Sequence, residues 1–207
     1  MAESERFTTA AILAGGQSRR MGYDKFRLTI GEKGLLDQLT DILSREFAHI
    51  IVVANSDDLV PPAGTTVIRD VYPGRGPLSG IHAALRASGS DYIFCMACDM
   101  PEINLAYIRH LKGRLSTRPY DAALGLVNAC PEPFQAFYSR QVLPGIEQNL
   151  QIGRLRLQDL ISSLNCLLIP ENEIRSFSPD LGIFANINTP AELDKYRFSQ
   201  AGRFFNE

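Results

Sequence analysis

Residues 8–16 read Thr8-Thr9-Ala10-Ala11-Ile12-Leu13-Ala14-Gly15-Gly16, and this short stretch decides the fold. An apolar run halted by two glycines reads as a strand buried on both faces and ended by a tight turn. The chain continues as Gln17-Ser18-Arg19-Arg20-Met21-Gly22-Tyr23-Asp24-Lys25, a polar and basic loop with glycines in it. Glycines let backbone N–H groups approach a polyphosphate with no Cβ in the way. Arg19, Arg20 and Lys25 are placed to neutralise phosphate charge. The spacing is neither G-x-x-x-x-G-K-[ST] nor G-x-G-x-x-G, so the two commonest phosphate-binding loops are excluded. On residue types alone the loop reads equally well as a solvated basic turn.

Working outward, Phe26, Leu28 and Ile30 alternate with polar residues, which predicts a short strand turning at Glu32-Lys33-Gly34. Leu35, Leu36, Leu39, Ile42, Leu43 and Phe47 recur at three- and four-residue spacings, an amphipathic helix over 35–47. Buried strands follow at 50–54, ending at Asn55, at 67–68, ending at Asp70, and at 92–97, closed by Asp99. A Pro/Gly loop from Pro73 to Gly76 leads into a helix at Pro77 whose inner face is Leu78, Ile81, Ala84 and Leu85. Strand and helix thus alternate from 8 to about 112. That pattern predicts an α/β three-layer sandwich on a mostly parallel, twisted sheet with right-handed crossovers.

The second half is less regular. Strands are expected at 122–127, 134–138 and 167–169, and helices at 139–149 and 154–164. Thr189-Pro190-Ala191-Glu192 reads as a helix opening, with threonine as N-cap and proline at the first helical position. No linker or repeat divides the chain, so 1–207 reads as one domain with halves at 8–112 and 120–200.

Ligands of open α/β sheets bind outside the carboxyl ends of the strands. Four strand ends here carry Gly15-Gly16, Asn55, Asp70 and Asp99, a glycine turn, an amide and two carboxylates on one edge. Asp99 and Asp70 are the two carboxylates of that edge. Without a ligand they read as a helix cap and an Asx-turn. The formal charge of −2 lacks the basic footprint of a nucleic-acid binder. No apolar run approaches the ~18 residues of a membrane span. The charged start Met1-Ala2-Glu3-Ser4-Glu5-Arg6 has no signal-peptide pattern, so the expectation is a soluble cytoplasmic protein. Cys95 and Cys98 form a C-x-x-C, but no second pair and no nearby histidine completes a zinc set, so they read as buried structural thiols. Of the three histidines, His49 and His110 read as packing or surface residues, and His82 as a group one step removed from a ligand.

Three motifs carry a resemblance over almost the whole chain: Leu13-Ala14-Gly15-Gly16-x-Ser18-Arg19-Arg20-Met21-Gly22-x-Asp24-Lys25, then Asp70-x-x-Pro73-Gly74-x-Gly76-Pro77-Leu78-x-Gly80-Ile81, and Cys98-Asp99-Met100-Pro101. With the closing Phe184-Ala185-Asn186-Ile187-Asn188-Thr189-Pro190-Ala191-Glu192-Leu193, the chain resembles the molybdenum cofactor guanylyltransferase family. The resemblance implies a Rossmann-like nucleotidyltransferase fold, GTP and Mg²⁺, and molybdopterin as the acceptor of GMP. A molybdoenzyme or cofactor-delivery protein would receive the product, with no nucleic acid or membrane involved. It makes 8–112 the nucleotide-binding half and 120–200 the acceptor-binding half.

Carried over residue by residue, Leu13, Ala14, Gly15, Gly16 and Ser18 would contact the nucleotide, with Asn55, Asp70 and Gly80 beside it. Lys25 and Arg20 would hold phosphates, and Asp99 would ligate Mg²⁺. Asn186 and Asn188 would face molybdopterin. Arg154, in the basic cluster Gly153-Arg154-Leu155-Arg156, would grip the acceptor phosphate. The related cytidylyl enzymes carry Leu-Ala-Ala-Gly where this chain has Leu13-Ala14-Gly15-Gly16, and the missing Cβ at position 15 leaves room for a purine. A cytidylyl- or sugar-phosphate nucleotidyltransferase of the same fold is the alternative within enzymes. A non-catalytic nucleotide or cofactor carrier is the alternative outside them.

Overall fold

The computed structural model describes residues 3–15, 29–30 and 33–204. In chain order the elements are α1 (Glu3–Arg6), β1 (Thr9–Leu13), β2 (Thr29–Ile30), β3 (Lys33–Gly34), α2 (Leu35–Leu43), β4 (His49–Val53), β5 (Thr65–Ile68), α3 (Pro77–Ala87), β6 (Tyr92–Ala97), α4 (Leu105–Thr117), β7 (Ala122–Val127), β8 (Cys130–Ser139), α5 (Leu143–Ile152), α6 (Leu157–Ile161), β9 (Cys166–Pro170), α7 (Glu171–Ile174) and α8 (Pro190–Phe204). Seven strands make one sheet in the order β5-β4-β1-β6-β8-β7-β9. Every pairing is parallel except the two made by β8, which runs against both β6 and β7.

Successive residues of each central strand feed opposite cores, as the two-residue period of a strand requires. Ala10, Ile12, Ile50, Val52, Phe94 and Met96 point to one face, under α2 and α4. Ala11, Leu13, Ile51, Val53, Ile93 and Cys95 point to the other, under α3, α5 and α6. Both faces are covered, so the strands read as continuous apolar runs and not as alternating ones. The first face is closed by rings: Phe94 lies 5.6 Å from Phe47 and 5.3 Å from Phe137, centroid to centroid. Among the described residues no helix is long and apolar enough to cross a membrane.

Local chemistry sets the boundaries. Helix α2 stops at Leu43, earlier than the spacing through Phe47 predicts. Phe47 still packs into the core, but from the turn after the helix. The stretch expected as a helix over 139–149 begins with a 3-10 turn at Arg140–Val142, and α5 then runs to Ile152. Gly153, at φ +77°, ends it in the left-handed conformation that favours glycine. The expected helix over 154–164 contracts to α6. Lys33 and Gly34, expected in a turn, pair as β3 with β2; Phe26, Leu28 and Glu32 lie outside the described residues. The short helices α1 and α7 have no counterpart in the sequence reading.

The largest departure is β8. A strand was expected over 134–138, yet it spans 130–139 and bulges. Ala123 faces Phe137 and Gly125 faces Glu132, so Leu124 alone stands opposite Pro133, Phe134, Gln135 and Ala136. Gln135 sits at φ +53° with its side chain wholly buried.

Candidate active site

The sheet order reverses at β1. From it the chain passes outward through β4 and β5, then returns to the other side as β6. Ligands of open α/β sheets bind in a crevice at the carboxyl edge beside such a reversal. A cavity of about 510 Å³ occupies that crevice. Its lining includes Leu13 and Gly15 from the end of β1, Asn55 after β4, Asp70 after β5, Gly80 in α3, Asp99 after β6, and Asn186 and Asn188 from the segment before α8.

Backbone bonds continue the ladders past the strand ends and hold these positions. The N–H of Ala14 donates to the carbonyl of Val53 at 2.9 Å, that of Ala54 to Ile68 at 2.9 Å, and that of Cys98 to Leu13 at 3.0 Å. Asn55 and Asp70 are locked together: Asn55 Nδ2 donates to Asp70 Oδ2 at 2.8 Å, and the Asp70 N–H donates to Asn55 Oδ1 at 3.0 Å. The other carboxylate oxygen of Asp70, Oδ1, is buried without a hydrogen-bond partner among the described residues. Asp99 is 5% exposed. Its carbonyl accepts the N–H of Ile187 at 2.8 Å, which brings Asn186 and Asn188 to the end of β6 from far along the chain. Asn188 and Thr189 are fixed in turn by a capping box at the start of α8. Glu192 Oε2 accepts from both N–H groups at 2.7 and 2.9 Å, and the Glu192 N–H donates to Thr189 Oγ1 at 3.2 Å.

Helix α3 forms the opposite wall. Gly76, its N-cap, offers no side chain to its first N–H groups, and Pro77 is its first residue. The positive end of the helix dipole therefore lies beside the cavity, where it favours an anion. The helix lies close on β1 because position 80 is glycine. A Cβ there would meet Leu13 Cδ1 and Cδ2 at 3.1 Å. Gly15 is the opposite case, since a Cβ there would meet no atom of the described residues within 4 Å.

The structure thus brings together Leu13, Gly15, Asn55, Asp70, Gly80, Asp99, Asn186 and Asn188. Ala14 does not line the cavity; it is buried in the core on the face of α2 and α4, because the residue after Leu13 still obeys the strand alternation. Arg154 does not line it either. It is exposed at the turn after α5, where the N–H of Arg154 donates to Asn149. Gly16, Ser18, Arg19, Arg20 and Lys25 lie outside the described residues. His82 turns away from the cavity: its side chain is wholly buried, and Nε2 meets Glu147 Oε1 of α5 at 3.0 Å. Cys95 is fully buried in β6, and burial pushes its thiol well above the ordinary range, so it is inert. Cys98 is also buried and unoxidised.

Gly74, Gly76, Pro77, Cys98 and Phe134 line the cavity without having been singled out as site residues. The first four stand inside motifs already conspicuous in the sequence. Phe134 had no signal, because nothing in its surroundings distinguishes it from a core aromatic.

Comparison with known proteins points to one family. The family model of the MobA-like NTP transferase domain matches residues 10–166. A probable molybdenum cofactor guanylyltransferase of Peptoclostridium acidaminophilum is 40% identical over 195 residues, covering 92% of this chain and 88% of that protein. A molybdenum cofactor guanylyltransferase of Syntrophotalea carbinolica is 40% identical over 201 residues, covering 97% and 96%. The crystal structure of molybdopterin-guanine dinucleotide biosynthesis protein A from Archaeoglobus fulgidus superposes with a TM-score of 0.80 at 25% identity, covering 94% of this chain and 100% of that one.

Proposed function

We propose the following function for this chain, which belongs to the molybdenum cofactor guanylyltransferase family: it transfers GMP from GTP to the terminal phosphate of molybdopterin and releases pyrophosphate, with Mg²⁺ as cofactor. The observation that carries the reading is the single cavity gathering Gly15, Asn55, Asp70 and Asp99 with Asn186 and Asn188. One half of its lining suits a nucleotide, the other a second polar substrate.

The donor chemistry fits the metal. Mg²⁺ takes hard oxygen ligands, commonly one or two carboxylates, with water and phosphate completing the set. Asp99 would hold it, and the unpartnered Oδ1 of Asp70 is an oxygen available to share it through water or to bond the ribose. When bound, the ion supplies charge neutralisation at the α-phosphate and the departing pyrophosphate.

The residues of the chain do the rest. Leu13 and Gly15 offer backbone and apolar surface to the guanine, and Gly15 leaves space for the larger base. Asn55 fixes Asp70 in one orientation through two hydrogen bonds. The N-terminus of α3 presents partial positive charge, and Arg20 and Lys25 add full charges for the phosphates. Asn186 and Asn188, held by the Asp99 carbonyl and by Glu192, orient the acceptor. The acceptor is a phosphate monoester, anionic at neutral pH, so its oxygen attacks the α-phosphorus with no proton to remove and no general base. Bringing two anions into line and stabilising the leaving charge is then the whole of catalysis.

Two measurements test this. GTP with Mg²⁺ should raise the unfolding temperature more than CTP, ATP or UTP, because a ligand selective for the native state stabilises it. Pyrophosphate should be released only when GTP, Mg²⁺ and molybdopterin are all present. A larger stabilisation by CTP would turn the reading toward a cytidylyltransferase. Binding of GTP and molybdopterin with no pyrophosphate would make the protein a carrier.

A further inference from the structure

The cavity can be read as a ruler laid along the sheet edge. In strand order it meets Asp70 after β5, Asn55 after β4, Leu13 and Gly15 at β1, Asp99 after β6, and then Phe134 on β8. Neighbouring strands lie about 4.8 Å apart, so Phe134 stands one step beyond Asp99, on the side away from Gly15. Among the described residues it contributes the one aromatic ring in the lining.

Its placement is built, not incidental. A regular β8 would pair Gly125 with Gln135, two positions beyond Ala123 and Phe137. Instead Gly125 pairs with Glu132, and the three surplus residues Pro133, Phe134 and Gln135 arch out at the carboxyl end of β6, while Ala136 stays paired with Cys95. Bulges beside a site re-aim a side chain. This one carries a cost at Gln135, a non-glycine residue at φ +53° whose buried Oε1 has no hydrogen-bond partner among the described residues. Buried groups hold the arch from both sides. Gln135 Nε2 donates to the carbonyl of Glu102 at 2.9 Å, in the loop that follows Asp99. Tyr138 Oη, on a fully buried side chain, donates to the carbonyl of Pro133 at 2.7 Å. Phe134 rests against the hydrophobic cores of both sheet faces, which fixes its ring from behind and leaves it partly exposed to the cavity.

From this geometry we infer that Phe134 is the acceptor-recognition residue, and that its ring stacks on the fused heteroaromatic ring of the acceptor. The inference rests on the guanylyl-transfer reading of the same cavity. A rigid aromatic face binds a planar heterocycle at little cost in side-chain entropy. The position beyond Asp99 puts that heterocycle on the opposite side of the reacting phosphates from the guanine. The amides of Asn186 and Asn188 line the same cavity and supply hydrogen bonds that a ring edge needs.

The test uses the purified full chain with Phe134→Ala, Phe134→Leu and Phe134→Tyr, each checked for folding by circular dichroism. Phe134→Leu keeps the apolar bulk of the arch while removing the ring. The Ala and Leu variants should raise KM for molybdopterin about tenfold and leave KM for GTP within about twofold, and Tyr should restore the wild-type value. Anisotropy of the fluorescent probe pterin-6-carboxylate gives a second readout that needs no turnover. The wild-type and Tyr proteins should bind it, and the Leu protein should bind about tenfold more weakly. A Leu variant equal to wild type in both assays overturns the inference, since packing bulk alone would then suffice. So does a rise in KM for GTP instead of molybdopterin, which would put the nucleobase on this ring, or a wild-type protein that fails to bind the pterin. If the ring-dependent pterin binding is present and yet no pyrophosphate forms from GTP, the transferase reading fails and the assignment of Phe134 stands.

Discussion

A Gly15→Ala substitution adds one methyl group at the point where β1 opens into the cavity, and its two effects have opposite signs. On the protein side the methyl meets no atom of the described residues within 4 Å. Gly15 is not among the glycines held at positive φ, so alanine introduces no backbone strain there. The remaining effect is on the unfolded chain, whose freedom falls, which stabilises by roughly 0.4–1 kcal/mol. For a domain near 200 residues that is a rise in Tm of about 1–4 °C without ligand. On the ligand side the methyl stands where the purine edge is proposed to approach the backbone. One methyl group of misfit in a shaped pocket is worth about 1–3 kcal/mol, or 10–200-fold in kcat/KM. The pyrimidine of CTP is smaller and should lose less. Thermal unfolding of the free protein, with pyrophosphate-release kinetics on GTP and CTP, reads both sides. A variant that keeps wild-type kcat/KM for GTP refutes the placement of guanine at Gly15. A ligand-free Tm lowered by more than several degrees refutes the packing argument.

Gly80→Ala should act on the same pocket from behind: its Cβ would press on Leu13 at 3.1 Å, costing about 1–3 kcal/mol of stability and weakening GTP binding together, measured by denaturant titration and calorimetry. Thr189→Ala removes the hydroxyl that caps α8 and should cost about 1 kcal/mol. It should also raise KM for the acceptor more than for GTP, because the capping box through which Glu192 holds the Asn188 N–H is weakened. Glu46→Gln tests a charge cluster away from the site. Burial raises the Glu46 carboxyl, but hydrogen bonds and charge from Lys112 and Arg109 outweigh it and leave the group below its ordinary value. A carboxyl depressed in the folded state contributes stability that is present above its ordinary value and lost as pH falls through the lowered one. Wild type should therefore exceed Glu46→Gln by roughly 1.5–3 kcal/mol near pH 7, and the gap should narrow in urea titrations taken from pH 5 towards pH 3.

What was legible in the sequence follows from burial. Strands β1, β4 and β6 are covered on both faces, so each is an unbroken apolar run with an abrupt polar end, and the polar ends are the site. Asp99 and Asp70 could be read as candidate site residues because four strand ends in succession carry polar groups or glycines on one edge of the sheet. Ala14 could not be told from Gly15 by the same logic, since facing the core or the cavity depends on one further step of alternation. The second half hid its plan because its strand pairing is long-range. Nothing local announces that β8 enters between β6 and β7, or that Pro131, Glu132, Pro133 and Gln135, residues poorly suited to a strand, belong to one that bulges. Helix ends were missed by a turn where capping, not periodicity, decides them, as at Gly153.

The hydrogen bond from Ile187 to the carbonyl of Asp99 has a consequence for biosynthesis. Leu13 leaves the ribosome early, yet the pocket it helps form is unfinished until Asn188 has been translated, roughly 90 residues after Asp99. At a synthesis rate of about 5–20 residues per second that interval is on the order of 5–20 s, during which the emerging polypeptide has Leu13, Asn55, Asp70 and Asp99 but not the wall that Asn186 and Asn188 complete. A premature stop between Pro170 and Asn186 should yield a protein that has lost one wall of the cavity while keeping all seven strands of its sheet.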